Sequence, residues 1–303
     1  MQESTKGSLM VLGAAAGFGT IGIFGELAVA VDLSFATLLP FRFAFATLLV
    51  VVLARVRDWS FPATAREWGA TLVLGVVYTA MTLLYFFSLR YLTAGLATIV
   101  LYTYPAIVVA LSAAVLRETV TRWTVGALAL SLSGVALVVG ADTSGAAPAG
   151  VALALGAATC YAVYTAASRV LVSTLTPRAL MTGVLVGTTG SMAVYGAITN
   201  GLVAPAGGRE WAIVVGLALV GTVAPLVLFY EGVERLAASR VGIISTAEPV
   251  VTVLLGALLL DEVVTAVSVA GGALVLGGVL LVQRTRTATP DRTERMPTVD
   301  GDP

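Results

Sequence analysis

Ten long apolar runs, separated by short stretches that hold nearly all of the charge, leave this chain few folds to choose from. Their approximate bounds are 7–30, 34–54, 67–88, 93–115, 123–140, 150–171, 178–199, 210–232, 239–260 and 266–283. The runs are continuous rather than alternating, which argues against the strands of a membrane barrel. About 20 apolar residues is also what a helix needs to cross the hydrocarbon core. Lipid offers no partner to a free N–H or C=O, so each run reads as a helix that satisfies its own backbone. Composition agrees, with 58% hydrophobic and 11% charged residues among 303, where a soluble domain carries about 25% charge. Ten spans use about 200 residues, which leaves no sizeable soluble domain. The expected fold class is an all-α membrane protein with ten transmembrane helices.

The basic residues orient the spans, because cytoplasmic loops carry the excess of Lys and Arg. With the N-terminus inside, 14 of the 17 basic residues fall on the cytoplasmic side, from Lys6 through Arg55, Arg57, Arg178 and Arg235 to Arg295. Arg90 and Arg209 fall outside, and Arg42 lies within the second run. Removing one span would reverse every later loop, so the pattern predicts ten spans with both termini cytoplasmic. The run after Lys6 is too long for a signal-peptide core and is expected to be retained as the first span. Residues 284–303, polar and Pro-containing, read as a disordered cytoplasmic tail.

The chain also repeats itself at an offset of about 143 residues. Leu12–Ala15 recurs as Leu155–Ala158, Trp68 as Trp211, Pro105 as Pro249, Glu118 as Glu262, and Thr121 as Thr265. Units of five helices, 7–140 and 150–283, follow. Five is odd, so the second unit enters the membrane from the opposite side. Inverted repeats of this kind build secondary transporters, with the substrate site near the midplane between the halves.

The strings YPAIVVALSAAVLRETVT (104–121) and EPVVTVLLGALLLDEVVT (248–265) resemble the fourth helix and following loop of the EamA domain, once per half. GFGTIGIFGELA (17–28) and LLPFRFAFATLL (38–49) resemble its first two helices, the second bringing the family's arginine at Arg42. The resemblance covers roughly residues 7–283 and implies a ten-helix transporter of the drug/metabolite transporter superfamily. Leu185 stands near the position where Arg42 would repeat, so the halves differ in role.

Ionisable residues inside a membrane are costly and mark function. Arg42 either pairs with Glu26 to tie two helices or attracts a substrate carboxylate as part of an outer gate. Glu248, near mid-membrane and followed by Pro249, is either a protonated group bonded to a neighbouring helix or a cavity group that binds a substrate ammonium or carries a coupling proton. Pro249 cannot donate its backbone bond, which frees carbonyls around Ser245 and Thr246. Phe18, Thr20, Tyr78, Tyr102, Tyr104, Tyr161 and Tyr164 are candidates for the path, because buried Tyr hydroxyls need partners. Glu231 reads as an interfacial salt-bridged residue. Pro105, Pro249, Glu118 and Glu262 are expected to be structural repeat positions, each Glu three residues before a Thr placed to cap the next helix.

The absence of His and the single Cys160 remove the materials of zinc sites, disulfides and imidazole catalysis. No metal, cofactor or catalytic group is expected, and the chain reads as a non-enzyme. A net charge of zero gives no draw to nucleic acid, and there is no Walker A sequence for an ATP-driven pump. The expected function is export of small metabolites, amino acids foremost, across the plasma membrane by alternating access. A lipophilic-cation exporter and a non-transporting membrane protein are the alternatives. The expected partners are the lipid bilayer and a small-molecule substrate; a monomer suffices and a dimer is conceivable.

Overall fold

The computed structural model describes residues 2–116, 122–140, 147–236 and 238–287. Among them there are helices and no strand. In chain order these are α1 (Gln2–Val29), α2 (Phe35–Val56), α3 (Ala65–Ser88), α4 (Ala94–Leu101), α5 (Tyr104–Leu116), α6 (Arg122–Gly140), α7 (Ala147–Leu171), α8 (Pro177–Ile198), α9 (Gly208–Ala218), α10 (Ala224–Val233), α11 (Ala238–Ser245), α12 (Ala247–Leu259) and α13 (Ala266–Thr287). Among the described residues seven stretches are long and apolar enough to cross a membrane, and two shorter apolar helices accompany them. α13 runs to Thr287, past the expected start of the tail at 284; residues 288–303 and Glu118 lie outside the described residues.

Helix starts follow from local chemistry. Ser34 Oγ accepts from Thr37 N–H at 3.1 Å to cap α2, and Thr64 and Glu67 close a reciprocal capping box at α3. Thr176 caps α8 directly before Pro177, whose missing N–H costs nothing in the first turn. The expected cap at Thr265 forms, its Oγ1 accepting from Ser268 N–H at 3.0 Å.

Three of the apolar runs expected as single helices are interrupted. α4 stops before Tyr102 and Thr103, and α5 resumes with Pro105 in its first turn. α11 stops before Thr246, and α12 resumes with Pro249. Between α9 and α10 a π turn, Leu219–Val223, precedes Pro225. In each case a proline lacks the N–H that would continue the ladder, and the chain breaks or widens one turn upstream.

The packing is reciprocal between the halves. α3 lies on α7 and α8, while α10 lies on α1 and α9 on α2; α12 packs against α1, and α4 and α5 against α7; α2 meets α8, and α6 meets α13. At the α3–α8 crossing a Cβ on Gly75 would stand 2.6 Å from the backbone of Gly187, so only glycine allows that approach. The main core holds Leu38, Leu39, Phe43, Phe86, Met192 and Leu217. Outward positions are also apolar: Ile198 and Leu258 are each 76% exposed. Such a surface suits lipid rather than water.

Candidate functional site

Arg42 sits on α2, only 2% exposed. Its Nε donates to Thr222 Oγ1 at 2.9 Å, and its guanidinium lies over the rings of Phe43 at 4.8 Å and Phe86 at 5.7 Å. The π turn makes this contact. Thr222 Oγ1 donates back to Leu217 O at 2.9 Å and turns its oxygen toward the arginine, a use of π turns common at functional sites. Burying an unpaired charge costs several kcal/mol. One charge-assisted hydrogen bond returns about 1.5–3 kcal/mol, and a desolvated cation–π contact about 2 kcal/mol. These contacts offset burial without cancelling the charge, and among the described residues no carboxylate forms an ion pair with Arg42. Arg42 is therefore a fixed, uncompensated positive site.

Of the two alternatives for Arg42, the Glu26–Arg42 pair does not form among the described residues. Glu26 accepts instead from the N–H of Ala94, at the start of α4. The reason lies in partner supply: Thr222 and the rings already hold Arg42, whereas the first turn of a helix presents free N–H groups to a carboxylate.

Glu248 lies in the first turn of α12, partly buried, its Oε2 accepting from Tyr102 Oη–H at 2.9 Å. The same hydroxyl lies 2.8 Å from Ser245 O, one of the carbonyls that the break before Pro249 sets free. Tyr102 and Glu248 belong to opposite halves, as do Arg42 and Thr222, so both contacts join α4 or α2 to the second half of the chain. Among the described residues no cation pairs with Glu248.

Rings connect the two charged positions. Tyr102 meets Tyr104 with ring centroids 5.9 Å apart, and Tyr104 meets Tyr161 at 4.4 Å. Tyr161 stacks on Tyr164 at 6.0 Å, Tyr164 meets Tyr78 at 5.3 Å, and Tyr78 meets Phe43 at 6.1 Å. All five tyrosines singled out in the sequence thus fall on one string. Phe18 pairs instead with Phe229 at 6.5 Å, and Thr20 Oγ1 donates to Gly17 O of its own helix at 2.6 Å. Ser245 contributes its carbonyl to this cluster.

Sequence reasoning missed Thr222, Phe43 and Phe86, and did not count Tyr85 among the candidates for the path. Tyr85 Oη bonds Thr98 Oγ1 at 2.8 Å and its ring packs on Phe86, which faces Arg42. The Gly221-Thr222 pair ahead of Pro225 was the available signal. Among the described residues no group of His, Cys, Asp and Glu is disposed to hold a metal. Cys160 packs against the core.

Comparison with known proteins places these features. An uncharacterized transporter of Archaeoglobus fulgidus is 31% identical over 197 residues, covering 65% of this chain and 70% of that protein. A second uncharacterized transporter of the same organism is 35% identical over 75 residues, 25% of this chain and 28% of its own. A solved crystal structure at 20% identity superposes with a TM-score of 0.65, covering 95% of this chain and 99% of that one, and so shares the fold. The EamA-like transporter family matches twice, over residues 5–140 and 148–284, and the chain belongs to that family of membrane transporters.

Proposed function

We propose that the chain is a secondary carrier that exports small zwitterionic metabolites, amino acids foremost, across the plasma membrane by alternating access between its halves. The observation that carries this reading is one uncompensated cation, Arg42, and one uncompensated acid, Glu248, joined by a string of tyrosines. Arg42 attracts a carboxylate, Glu248 an ammonium, and the rings and hydroxyls between them suit an amphipathic body. The reciprocal packing supports ten crossings arranged as two inverted five-helix units, and the clustering of basic residues supports cytoplasmic termini. Arg42–Thr222 and Tyr102–Glu248 both bridge the halves, so rocking one half against the other remakes the site's own bonds.

Glu248 also serves as the coupling group in this reading. The single proton of Tyr102 Oη cannot serve Ser245 O and a carboxylate at once. A protonated Glu248 donates to the tyrosine oxygen and leaves that proton to the carbonyl; a charged Glu248 competes for it. Proton loss is thereby transmitted to the break between α11 and α12.

Counterflow in proteoliposomes with a panel of labelled amino acids and lipophilic cations tests the proposal. Amino-acid exchange is expected, reduced at least tenfold by Arg42→Lys, which keeps charge but loses the planar fork, and made independent of a pH gradient by Glu248→Gln. Exchange of lipophilic cations alone, or intact pH coupling in Glu248→Gln, overturns the corresponding part.

A further inference from the structure

A groove of about 350 Å³ runs along the side of the bundle between α4, α12 and α13. Its wall is mainly aliphatic, with Leu96, Ile99, Val253 and Leu276, and its polar lining consists of Thr93, Ser268 and a single acid, Glu262. Val263 at its margin is 83% exposed and Val269 57%, so the groove opens on the apolar exterior rather than into the tyrosine string. Its volume falls in the range of about 300–1,000 Å³ typical of small-molecule pockets.

The charged groups around Glu262 are of one sign. Glu262 Oε1 accepts the N–H of Ala94 at 3.1 Å, and Glu26 Oε1 accepts the same N–H. The Glu262 side chain is seated against Gly256, where a Cβ would come within 2.5 Å of its Oε2, which fixes the carboxylate at the groove. Among the described residues neither acid forms an ion pair. Arg90, on the neighbouring turn, is occupied over the rings of Phe35 at 5.5 Å and Phe87 at 5.2 Å. The other charged group on the α12–α13 connection, Asp261, is also acidic.

We infer that this lateral groove binds a long-chain or otherwise lipophilic ammonium, with its cationic head at Glu262 and its tail along Ile99, Val253 and Leu276. An acyl chain with a neutral or anionic head would fill the aliphatic wall but leave the acids uncompensated, and a small hydrophilic cation would gain nothing from the wall. Charge and shape together select an amphiphilic amine taken from the surrounding lipid. The lining does not include Arg42 or Glu248, although it reaches Pro249 and Val250 on the same helix, and the inference stands whether or not those two charged residues carry an amino acid.

The test is photo-crosslinking of the full chain in lipid nanodiscs with two dodecyl probes bearing a diazirine on the tail, one with a trimethylammonium head and one with a hydroxyl. The ammonium probe is expected to label peptides around Leu96–Ile99, Val250–Leu254 and Val269–Leu276, and Glu262→Gln, which keeps an acceptor for Ala94 N–H, should lower that labelling at least tenfold. Ala273→Trp, which fills the groove and leaves the acid, should abolish it, and Glu248→Gln should leave it unchanged. A readout without variants is competition on the native chain: excess unlabelled dodecyltrimethylammonium suppresses labelling and dodecanol does not. Equal labelling by the hydroxyl probe, equal competition by dodecanol, or labelling lost in Glu248→Gln but kept in Glu262→Gln would overturn the inference.

Discussion

The two ends of the bundle are held together by opposite strategies. Glu3 and Glu26 lie on the same helix, separated by roughly 35 Å of rise, and the company each keeps is different. At the Glu3 end, charges of both signs interlock: Arg235 meets Glu3 at 3.4 Å and Glu231 at 3.0 Å, Arg178 meets Glu234 at 2.7 Å and Glu231 at 3.7 Å, and Arg57 reaches Glu231 at 3.6 Å. Four helices, α1, α2, α8 and α10, are stitched in this way, and Arg240 adds a bond to Ser4. At the Glu26 end, two acids from opposite halves converge on one backbone N–H. A network of exposed pairs is redundant and each member is worth little. A single donor shared by two acids has no redundancy, so a small change there has a large effect.

Ala94→Pro gives the largest expected effect. Proline suits the first position of a helix, so α4 itself tolerates it, while the N–H between the two acids disappears. The expected loss is about 2–4 kcal/mol, from charge-assisted bonds worth about 1.5–3 kcal/mol plus the uncovered repulsion, measured as a fall in thermal unfolding temperature in detergent. Adding Glu26→Gln should restore about 1 kcal/mol by removing one of the charges. If the double variant is no better than Ala94→Pro alone, the proline ring rather than the missing donor causes the loss.

Glu231→Gln breaks the opposite end and should cost less, although Glu231 touches three arginines. Its side chain is 22% exposed and that of Arg57 52%, so solvent screens the pairs. With about 0.2–1 kcal/mol for each exposed pair, three pairs sum to about 0.6–3 kcal/mol, and screening places the loss in the lower half of that range. Because the loss is Coulombic, it should shrink in molar salt. A deficit that is the same at low and high salt would assign Glu231 a packing role instead.

How much of this was legible beforehand depended on whether a feature is local or depends on partner choice. The helices, the cap at Thr265 and the break near Pro249 follow from residues within one turn, and the sequence carries that information directly, whereas the break near Pro105 was passed over within a run read as one helix. The tyrosines could be grouped because their depth in a span follows from counting along a helix. Partner choice was less accessible. Glu26 and Arg42 share a depth, which made a pair reasonable, but depth says nothing about rotation about the helix axis. Arg42 turned toward Thr222, which a π turn alone brings into place. Glu262 looked like a repeat position with a purely structural duty, and the groove it faces exists only once α4, α12 and α13 are packed.

The smallest expected effect compares one cap at each end. Thr176 Oγ1 accepts from Ala179 N–H at 3.2 Å and also bonds Ser60 Oγ at 2.5 Å, tying the start of α8 to the segment that follows α2. Thr93 Oγ1 accepts from Leu96 N–H only at a long 3.4 Å, and the acids Glu26 and Glu262 both lie on the neighbouring Ala94 N–H. Thr176→Ala should therefore cost about 1 kcal/mol, the usual worth of an N-cap. Thr93→Ala should cost only about 0.3 kcal/mol, because the carboxylates already compensate the first turn of α4. In a Glu26→Gln background, where part of that negative charge is gone, Thr93→Ala should become more costly while Thr176→Ala is unaffected. Equal costs for Thr93→Ala in both backgrounds would mean that the acids do not support α4, and the asymmetry between the two ends would reduce to the ion pairs alone.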